Sequence, residues 1–335
     1  MRLLVTGGLG FIGSNFCRYM INKHPDYELI NIDKMGIGAN PASLHDVENN
    51  PHYRFIKGDI CNPQLLHKTI SQVDAVVNFA AETHVDRSIS DPYTFLQNNT
   101  IGTYTILEAI RKHNPRARLV QISTDEVYGT AAEGSFTEKD SPNPSNPYSA
   151  SKASADMFVL AYHKTFGLNA SITRCTNNFG SHQLPEKLIP KTIIRAQRNL
   201  SIPIYGTGTN IRDWIYVVDH CAAVAIVLEK GVSGEVYNIS ASNEVTNIEI
   251  VKKVLAWLNK PESLIAFVED RPGHDTRYSL DSSKLRTQLG WSPEFSFQEA
   301  LESTVKWYAE NEKWWTPFAT EAVLSSTPWK TGGSK

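Results

Sequence analysis

Two groups of side chains in this 335-residue sequence have the types and spacing needed for acid–base chemistry, and the first is a Tyr–Lys pair. Tyr148 and Lys152 are four residues apart, so on a helix they share one face. A free phenol has a pKa of about 10, and a nearby positive charge favours its ionised form. We therefore predict that Tyr148 is a general base and that Lys152 helps to ionise it.

The second group, Thr124, Asp125 and Glu126, directly follows an apolar stretch at 119–122 that we predict to be a strand. In open parallel sheets, ligands bind at the carboxyl ends of strands. Adjacent carboxyl groups can serve as acid and base if their surroundings separate their pKa values, and the Thr124 hydroxyl could hydrogen-bond a reacting hydroxyl group. The alternative is an ordinary polar turn with a helix-capping acid.

A glycine-rich segment near the amino terminus, TGGLGFIG, has the G-x-G-x-x-G spacing at Gly8, Gly10 and Gly13. It follows a predicted strand and opens a predicted helix, an arrangement that presents backbone N–H groups to a pyrophosphate. Asp33 lies 20 residues after Gly13, where a carboxylate can accept hydrogen bonds from a ribose. Its charge would repel a 2′-phosphate, which favours NAD over NADP even though Lys34 adjoins it.

Further cofactor contacts are expected where the third and fourth predicted strands end, because ligands lie at that edge of the sheet. The small Ala80 and Ala81 leave room there for a bound group. From the residues alone, the candidate NAD-binding positions are Gly7, Gly10, Phe11, Ile12, Gly13, Asp33, Lys34, Asp59, Ile60, Phe79, Ala80 and Ala81.

The elements that must position these residues alternate along the first half of the chain. Continuous apolar strands separated by amphipathic helices predict a doubly wound, Rossmann-type parallel α/β sheet with right-handed crossovers. The predicted strands are 3–6, 29–32, 53–56, 75–79, 119–122 and 170–173. The predicted helices are 11–23, 63–70, 93–112 and 148–166.

After about residue 176 the elements become shorter and prolines more frequent. We predict a Rossmann domain at 1–175, to which some later segments return, a smaller α/β substrate domain at 176–315, and a tail at 316–335. The last part of that tail, from residue 325, has the composition of a flexible end. Further helices are predicted at 187–198, 217–230, 246–258 and 297–311.

The overall composition limits the classes of function. The chain is 41% hydrophobic, and its 33 Lys+Arg and 35 Asp+Glu give a net charge of −2, which argues against a dedicated nucleic-acid or acidic-membrane binder. No apolar run approaches the roughly 20 residues that span a bilayer, and the first residues lack a signal-peptide pattern. The four cysteines are scattered without metal-ligand spacing. We predict a cytoplasmic protein with reduced thiols and no metal.

Eight segments together resemble the dTDP-glucose 4,6-dehydratases, a family of extended short-chain dehydrogenases/reductases. The resemblance runs from about residue 1 to 311, and four of the segments are far more specific than the shared glycine motif: STDEVYG, NNFG, PEKLIP and DRPGHD. It implies a Rossmann domain that holds NAD, a smaller domain that holds a nucleotide sugar, and a homodimer. The remaining segments are TGGLGFIG, AAETHVDRS, YSASK and RDWIYVVDH.

The resemblance also implies a reaction sequence for the residues already singled out. Tyr148 would remove the proton of the sugar 4-hydroxyl as hydride passes from C4 to NAD⁺, with Lys152 tuning it and Thr124 assisting. Glu126 would then abstract the C5 proton while Asp125 protonates the departing 6-hydroxyl. Hydride return to C6 would give a 4-keto-6-deoxy sugar, and because the net change is the loss of water, the enzyme would be a lyase. Such products commonly feed a dTDP-rhamnose pathway.

Other ligand contacts follow only from the resemblance. Those to NAD would come from Asn98, Tyr148, Lys152 and Asn178. Those to the substrate would come from Thr83, Thr124, Asn177, Glu186, Lys187, Leu188, Pro203, Ile204, Tyr205, Arg212, Asn247, Asp270, Arg271, His274 and Tyr278. Cations such as Lys187, Arg212 and Arg271 suit a diphosphate, and the 203–205 segment could form an apolar wall for a base.

Two questions stay open at the level of sequence. The helices at 93–112 and 148–166 could pair with their copies in a dimer and bury Tyr104, Leu107, Met157 and Tyr162, or they could cover only their own sheet. The chain could also be a UDP-sugar 4-epimerase, a UDP-glucuronate decarboxylase, a GDP- or UDP-sugar 4,6-dehydratase, or a non-catalytic NAD-binding regulator. The paired acids at 125–126 favour a dehydratase, because the first two enzymes need no elimination at C6.

Overall fold

The computed structural model describes residues 1–271 and 273–325, and twelve strands are found within them. They are β1 (Arg2–Thr6), β2 (Glu28–Asp33), β3 (Tyr53–Lys57), β4 (Ala75–Asn78), β5 (Arg118–Thr124), β6 (Ala170–Cys175), β7 (Asn177–Phe179), β8 (Ile202–Tyr205), β9 (Ile211–Tyr216), β10 (Val236–Ile239), β11 (Glu244–Thr246) and β12 (Ile265–Val268).

Helices connect these strands in the order that the sequence predicts. They are α1 (Phe11–Lys23), α2 (Pro63–Ile70), α3 (Val85–Ser90), α4 (Pro92–Phe95), α5 (Gly102–His113), α6 (Pro147–Phe166), α7 (Leu188–Gln197), α8 (Val217–Lys230), α9 (Asn247–Trp257), α10 (Ser283–Leu289), α11 (Phe297–Glu310), α12 (Glu312–Trp315) and α13 (Glu321–Leu324). A π-helical turn (Leu96–Ile101) joins α4 to α5, and 3₁₀ turns are found at Pro41–Leu44, Asp125–Tyr128, Glu262–Leu264 and Thr316–Phe318.

The main sheet has seven strands in the order β10-β6-β5-β4-β1-β2-β3, all parallel. Alternate residues of β1 enter opposite layers: Leu3 and Val5 pack with residues of α1 and α8, and Leu4 packs with residues of α2 and α5. Burying each such side chain stabilises the fold by about 1.5–3 kcal/mol. The predicted Rossmann-type architecture is confirmed, and the strand order reverses beside β1, which is where such sheets bind ligands.

One strand of this sheet, β10, is missing from the sequence prediction. Its four residues pair in parallel with β6 at the sheet edge, and α8 packs on one face of the sheet. The chain therefore returns to the main sheet after its first half, as expected for some later segments, while the domain boundaries themselves stay a prediction.

The predicted helix at 93–112 is interrupted by the π-helical turn. Asp91 caps the start through the Thr94 backbone N–H, with Pro92 in the first turn. The Asn98 amide donates to the Thr94 carbonyl at 2.9 Å, and such side-chain bonds compete with regular helical pairing. Among the described helices, none is long and apolar enough to cross a membrane.

The rest of the chain forms a smaller body around the sheets β11-β9-β7 and β12-β8. Its core contains Phe179, Ile193, Trp214 and Tyr308, together with side chains from the C-terminal segment, defined here as residues 312–325. Ala319 and Leu324, which fall in the predicted tail at 316–335, are buried in this core beside Trp315, so this part of the tail is folded. Residues 326–335, where most of the predicted flexible end falls, lie outside the described residues.

Candidate active site

The glycine turn after β1 lies against the end of β4 so closely that side chains are excluded. Gly7 has φ +72°, and a Cβ there would lie 2.6 Å from the Ala80 nitrogen; a Cβ on Gly13 would lie 2.3 Å from the Gly7 carbonyl oxygen. Helix α1 follows at once, and its N-cap Gly10 provides no side-chain cap. The backbone N–H groups of the first turn are thus left for an anion, which fits a pyrophosphate.

Asp33 closes β2 directly beside this turn. Its two carboxylate oxygens accept hydrogen bonds from the backbone N–H groups of Leu9, at 3.0 Å, and Met35, at 2.7 Å. Burial raises the pKa of Asp33, and these two N–H groups oppose that increase. A carboxylate has lone pairs beyond these two bonds, so Asp33 can fix the glycine turn and still accept from a ribose.

Lys34, the cation next to Asp33, is engaged elsewhere. Its Nζ donates to the Asn98 side-chain oxygen at 2.6 Å and lies 3.7 Å from a Glu82 carboxylate oxygen. This arrangement pairs the lysine with an anion of the protein itself, which supports the preference for a ribose without a 2′-phosphate.

A single large cavity at the carboxyl ends of β1, β2, β4 and β5 brings the candidate cofactor residues together. The Asn178 side-chain oxygen is buried there and has no hydrogen-bond partner among the described residues, so it is available to a ligand. The predicted cofactor residues that line the cavity are Gly7, Gly10, Phe11, Ile12, Gly13, Asp33, Lys34, Asp59, Ile60, Phe79, Ala80, Ala81, Asn98, Tyr148, Lys152 and Asn178.

Thr124, Asp125 and Glu126 enter the same cavity at the end of β5. Thr124 caps the 3₁₀ turn: its hydroxyl accepts from the Glu126 N–H at 3.3 Å and donates to an Asp125 carboxylate oxygen at 3.1 Å. The other Asp125 oxygen and one Glu126 oxygen are buried without a partner in the described part of the chain. Unpaired buried carboxyl oxygens are costly, so these two atoms are suited to meet a substrate.

Asp125 and Glu126 have different surroundings, which affect their pKa values differently. Burial, reinforced by the negative charge of Glu126, raises the pKa of Asp125 well above its ordinary value. Burial also raises the pKa of Glu126, but the positive charges of Arg271, Arg212 and Lys187 oppose the increase. These surroundings favour Asp125 as the carboxyl group that keeps its proton and Glu126 as the one that loses it.

Tyr148 and Lys152 lie on the first turns of α6, which begins with a capping box between Asn146 and Ser149. Both side chains are buried in the cavity wall. The Lys152 ammonium donates to the Ile122 carbonyl at 2.6 Å, and it is not among the main influences on the phenol.

The contribution of Lys152 to ionising Tyr148 stays a prediction, because other groups dominate the surroundings of the phenol. Burial and the negative charge of Glu126 raise the pKa of Tyr148 well above 10. These influences favour the neutral form of the phenol.

Part of the predicted substrate set lines the same cavity: Thr83, Thr124, Asn177, Glu186 and Lys187. The Lys187 ammonium donates to the Thr83 carbonyl at 3.3 Å. A Glu186 oxygen accepts from Arg87 at 2.7 Å. These contacts join the segment after β4 to the start of α7 across the cavity.

The remaining predicted substrate residues do not line that cavity: Leu188, Pro203, Ile204, Tyr205, Arg212, Asn247, Asp270, Arg271, His274 and Tyr278. Several form a neighbouring cluster, in which the Tyr205 and His274 rings are 6.4 Å apart and the Arg212 guanidinium lies 4.2 Å over the Tyr278 ring. His274 is hydrogen-bonded to Asp270 at 2.6 Å.

Within this set, Ile204 and Asn247 have other surroundings. The Ile204 side chain packs in a core cluster with Ala196, Val251 and Leu255, because alternate residues of β8 face opposite sides. It therefore cannot be part of an apolar wall beside a ligand, which corrects that expectation. Asn247 begins α9, and its N–H donates to the Asn210 carbonyl at 3.1 Å.

Asp275 is a residue of the site that the sequence analysis leaves out. Its carboxylate accepts hydrogen bonds from the hydroxyls of Thr130, Ser145 and Tyr278, each at 2.6 Å. It thereby joins the 270–278 loop to the segments beside Glu126. The signal was present, since Asp275 is the last residue of the DRPGHD segment.

Comparison of the sequence with known proteins identifies the family to which the chain belongs. Residues 4–304 match the family model described as GDP-mannose 4,6 dehydratase. A dTDP-glucose 4,6-dehydratase of Haemophilus influenzae is 48% identical over 334 residues, which cover 93% of this chain and 98% of that protein.

Solved structures agree with these relatives. The dTDP-glucose 4,6-dehydratase of Bacillus anthracis str. Ames in complex with NAD is 46% identical with a TM-score of 0.89, covering 95% of this chain and 99% of that one. The dTDP-glucose 4,6-dehydratase of Streptomyces venezuelae, also with NAD bound, is 45% identical with a TM-score of 0.93, covering 95% of this chain and 100% of that one. The chain therefore belongs to the dTDP-glucose 4,6-dehydratase family.

Proposed function

We propose that this chain removes one molecule of water from dTDP-glucose and forms dTDP-4-keto-6-deoxyglucose, with NAD as its cofactor. The observation that carries the proposal is the pair of buried acids, Asp125 and Glu126, next to Tyr148 in the cavity. Bound in this cavity, NAD would supply an acceptor for the hydride from C4 of the sugar and a donor of the same hydride to C6, so that no net oxidation would result.

Tyr148 takes the proton of the sugar 4-hydroxyl. Burial and the Glu126 charge raise the pKa of the phenol, and a bound oxidised nicotinamide would supply positive charge that favours its ionised form. Thr124 orients the hydroxyl being oxidised. Lys152, whose ammonium contacts the Ile122 carbonyl near the end of β5, would hold the nicotinamide ribose of the cofactor.

Asp125 and Glu126 carry out the elimination. The ketone at C4 makes the C5 hydrogen acidic, and the Glu126 carboxylate removes it. Asp125, which keeps its proton because of burial and the Glu126 charge, donates that proton to the departing 6-hydroxyl. General acid–base catalysis of this kind contributes roughly 10²–10⁴-fold in rate.

The nucleotide part of the substrate is held by the cluster beside the cavity. Lys187, Arg212 and Arg271 offer positive charge to its diphosphate, since guanidinium and ammonium groups form strong charge-assisted bonds with phosphate. Tyr205 offers a face to the base. These assignments are supported by the proximity of the cations to Glu126, whose pKa they lower against the effect of burial.

The alternatives fit this site less well. A 4-epimerase needs no acid–base pair for elimination at C6, and the two buried acids would then be costly without a task. A non-catalytic regulator would have no use for their separated pKa values. A UDP- or GDP-sugar dehydratase would use the same chemistry, and only its base pocket would differ.

The test is to incubate the purified chain with dTDP-glucose and no added NAD while following product mass and nicotinamide absorbance together. We expect the loss of one water without net accumulation of reduced nicotinamide. The control is the double variant Asp125→Asn, Glu126→Gln, which should keep NAD and the fold but form no product. If only UDP- or GDP-sugars react, the substrate assignment is wrong; if none reacts even with added NAD, the chain is not a dehydratase.

We also propose that the chain is a homodimer, formed through the face of the π-helical turn, α5 and α6. Supporting this are exposed apolar side chains on that face, with Leu96, Ile101, Tyr104, Met157 and Phe158 each 41–48% exposed. Two residues predicted for the interface, Leu107 and Tyr162, are instead already buried within the chain's own fold. We place the enzyme in the cytoplasm, in keeping with its free cysteines.

A further inference from the structure

Asp86 is a buried carboxylate between the NAD-binding cavity and the neighbouring cluster that contains Tyr205 and Arg271. It lies in the first turn of α3, after β4, and is only 3% exposed. One carboxylate oxygen accepts from an Arg271 guanidinium nitrogen at 3.0 Å, and the other accepts from the Tyr205 hydroxyl at 3.4 Å. Asp86, on a helix that follows a strand of the main sheet, thus contacts two residues that we assign to the sugar nucleotide.

Arg271 is not fully paired by this contact. Its Nε is buried and has no hydrogen-bond partner among the residues that the structure describes. A buried cation with a free N–H group is costly unless an anion meets it. The guanidinium is therefore held at one side by Asp86 and leaves a donor for a phosphate.

Asp86 also acts on neighbouring cations. Burial lowers the pKa of Lys191 to about 8, and the negative charge of Asp86 opposes this decrease. The same opposition acts on Lys187, whose pKa burial also lowers. Asp86 thus places a negative charge near Lys187 and Lys191 as well as beside Arg271.

We infer that Asp86 is a positioning residue for substrate binding: it holds Arg271 and Tyr205 in the arrangement that receives the nucleoside diphosphate. This inference rests on the proposed function, which assigns both residues to the sugar nucleotide. Groups fixed before binding lose little conformational freedom when the ligand arrives, and this raises affinity. Asp86 contributes no proton or electron to the reaction itself.

The first experiment compares wild type with Asp86→Asn, in NAD-containing protein, by calorimetric titration with dTDP. We expect the Kd for dTDP to rise about tenfold or more, because Arg271 loses the partner that fixes it. The KM for dTDP-glucose should rise in parallel, with kcat within about threefold of wild type and unchanged NAD content. A matched control is Asp46→Asn, which breaks a surface Asp–Arg pair with Arg18 and should leave all these values unchanged.

A double-mutant cycle then tests whether Asp86 acts through Arg271. In an Arg271→Gln background, Asp86→Asn should change the Kd for dTDP by less than about threefold, since the side chain that it positions is absent. Effects that simply multiply would overturn the inference, as would an Asp86→Asn protein that binds dTDP like wild type.

Folding and function are separated by two further readouts. Asp86→Ser, which fits the space of Asp without placing an amide against the guanidinium, replaces Asp86→Asn if the latter loses NAD. If neither variant folds, Asp86 has a structural role and the inference is wrong. If wild type binds dTDP and the cycle shows coupling, but dTDP-glucose is not dehydrated, the proposed function fails while the role of Asp86 stands.

Discussion

At the scale of single residues, the different pKa values of Asp125 and Glu126 predict different defects when each side chain is replaced by its amide. Glu126→Gln removes the base for C5, so exchange of the C5 hydrogen with heavy water should stop. Asp125→Asn keeps that base but cannot donate a proton, so exchange should continue while water loss slows by roughly 10²–10⁴-fold. Mass spectrometry of recovered sugar nucleotide in heavy water measures both effects. Equal exchange by the two variants would contradict the assignment.

His220 predicts how stability depends on pH. It is 0% exposed on α8, neither ring nitrogen has a partner among the described residues, and burial lowers its pKa to about 3. Below pH 6.5 the His220 imidazole is protonated in the unfolded chain, whereas in the folded chain it stays neutral down to about pH 3. The free energy of unfolding should therefore fall by about 1.4 kcal/mol per pH unit as pH decreases through this window.

Urea unfolding of wild type and His220→Leu at several pH values measures this contribution. In the variant, the free energy of unfolding should change less steeply with pH, by the roughly 1.4 kcal/mol per pH unit that one proton contributes. His45→Gln, at a histidine whose side chain is 65% exposed, should keep the wild-type pH dependence. An unchanged slope in His220→Leu would show that the imidazole is not held neutral. His182, whose pKa burial also lowers to about 3, accounts for part of the slope that remains.

How far single residues could be predicted depends on what fixes them. Spacing placed Tyr148 and Lys152 on one face of a helix, and both line the cavity. Spacing could not show that Lys152 would donate to the Ile122 carbonyl, because that contact joins a helix to a strand 30 positions earlier. Asp86 escaped notice for the same reason, since its partners are distant in sequence.

At the scale of elements, the C-terminal segment should contribute to stability through Trp315. This side chain is 1% exposed, donates its indole N–H to the Tyr308 carbonyl at 2.9 Å, and lies under the Arg198 guanidinium. Trp315→Ala should lower the free energy of unfolding by about 3–5 kcal/mol. Trp257→Ala, at a site 37% exposed, should change it by about 0.5 kcal/mol or less. Urea denaturation compares them, and a loss of about 0.5 kcal/mol or less in Trp315→Ala would show that this side chain does not stabilise the fold.

The elements themselves were predictable where periodicity was strong. The strands at 29–32 and 53–56 and the helices at 11–23 and 217–230 match the structure within about a residue or two. The short strand β10 was not, because four residues between a helix and a loop carry little pattern. The π-helical turn was not predicted either, because the apolar pattern of 93–112 continues through it.

At the scale of the whole molecule, the exposed helix face predicts the assembly state. Tyr104 and Phe158 contact each other edge to face with ring centroids 6.2 Å apart, and each is 41% exposed. The double variant Tyr104→Glu, Phe158→Glu should turn a dimer into a monomer, because the charges would be buried unpaired in the interface. Sedimentation velocity measures this, with Val232→Glu, a site 57% exposed, as the control that stays dimeric. A wild-type monomer would contradict the proposal outright.

The pairing of β10 with β6 has a consequence for synthesis on the ribosome. Until Val236–Ile239 has emerged, the nascent main sheet ends in β6, whose backbone N–H and C=O groups on that side are unpaired. Such an edge readily pairs with other chains. We therefore expect a fragment that ends near residue 175 to aggregate, whereas the full chain, in which β10 covers this edge, should stay monodisperse.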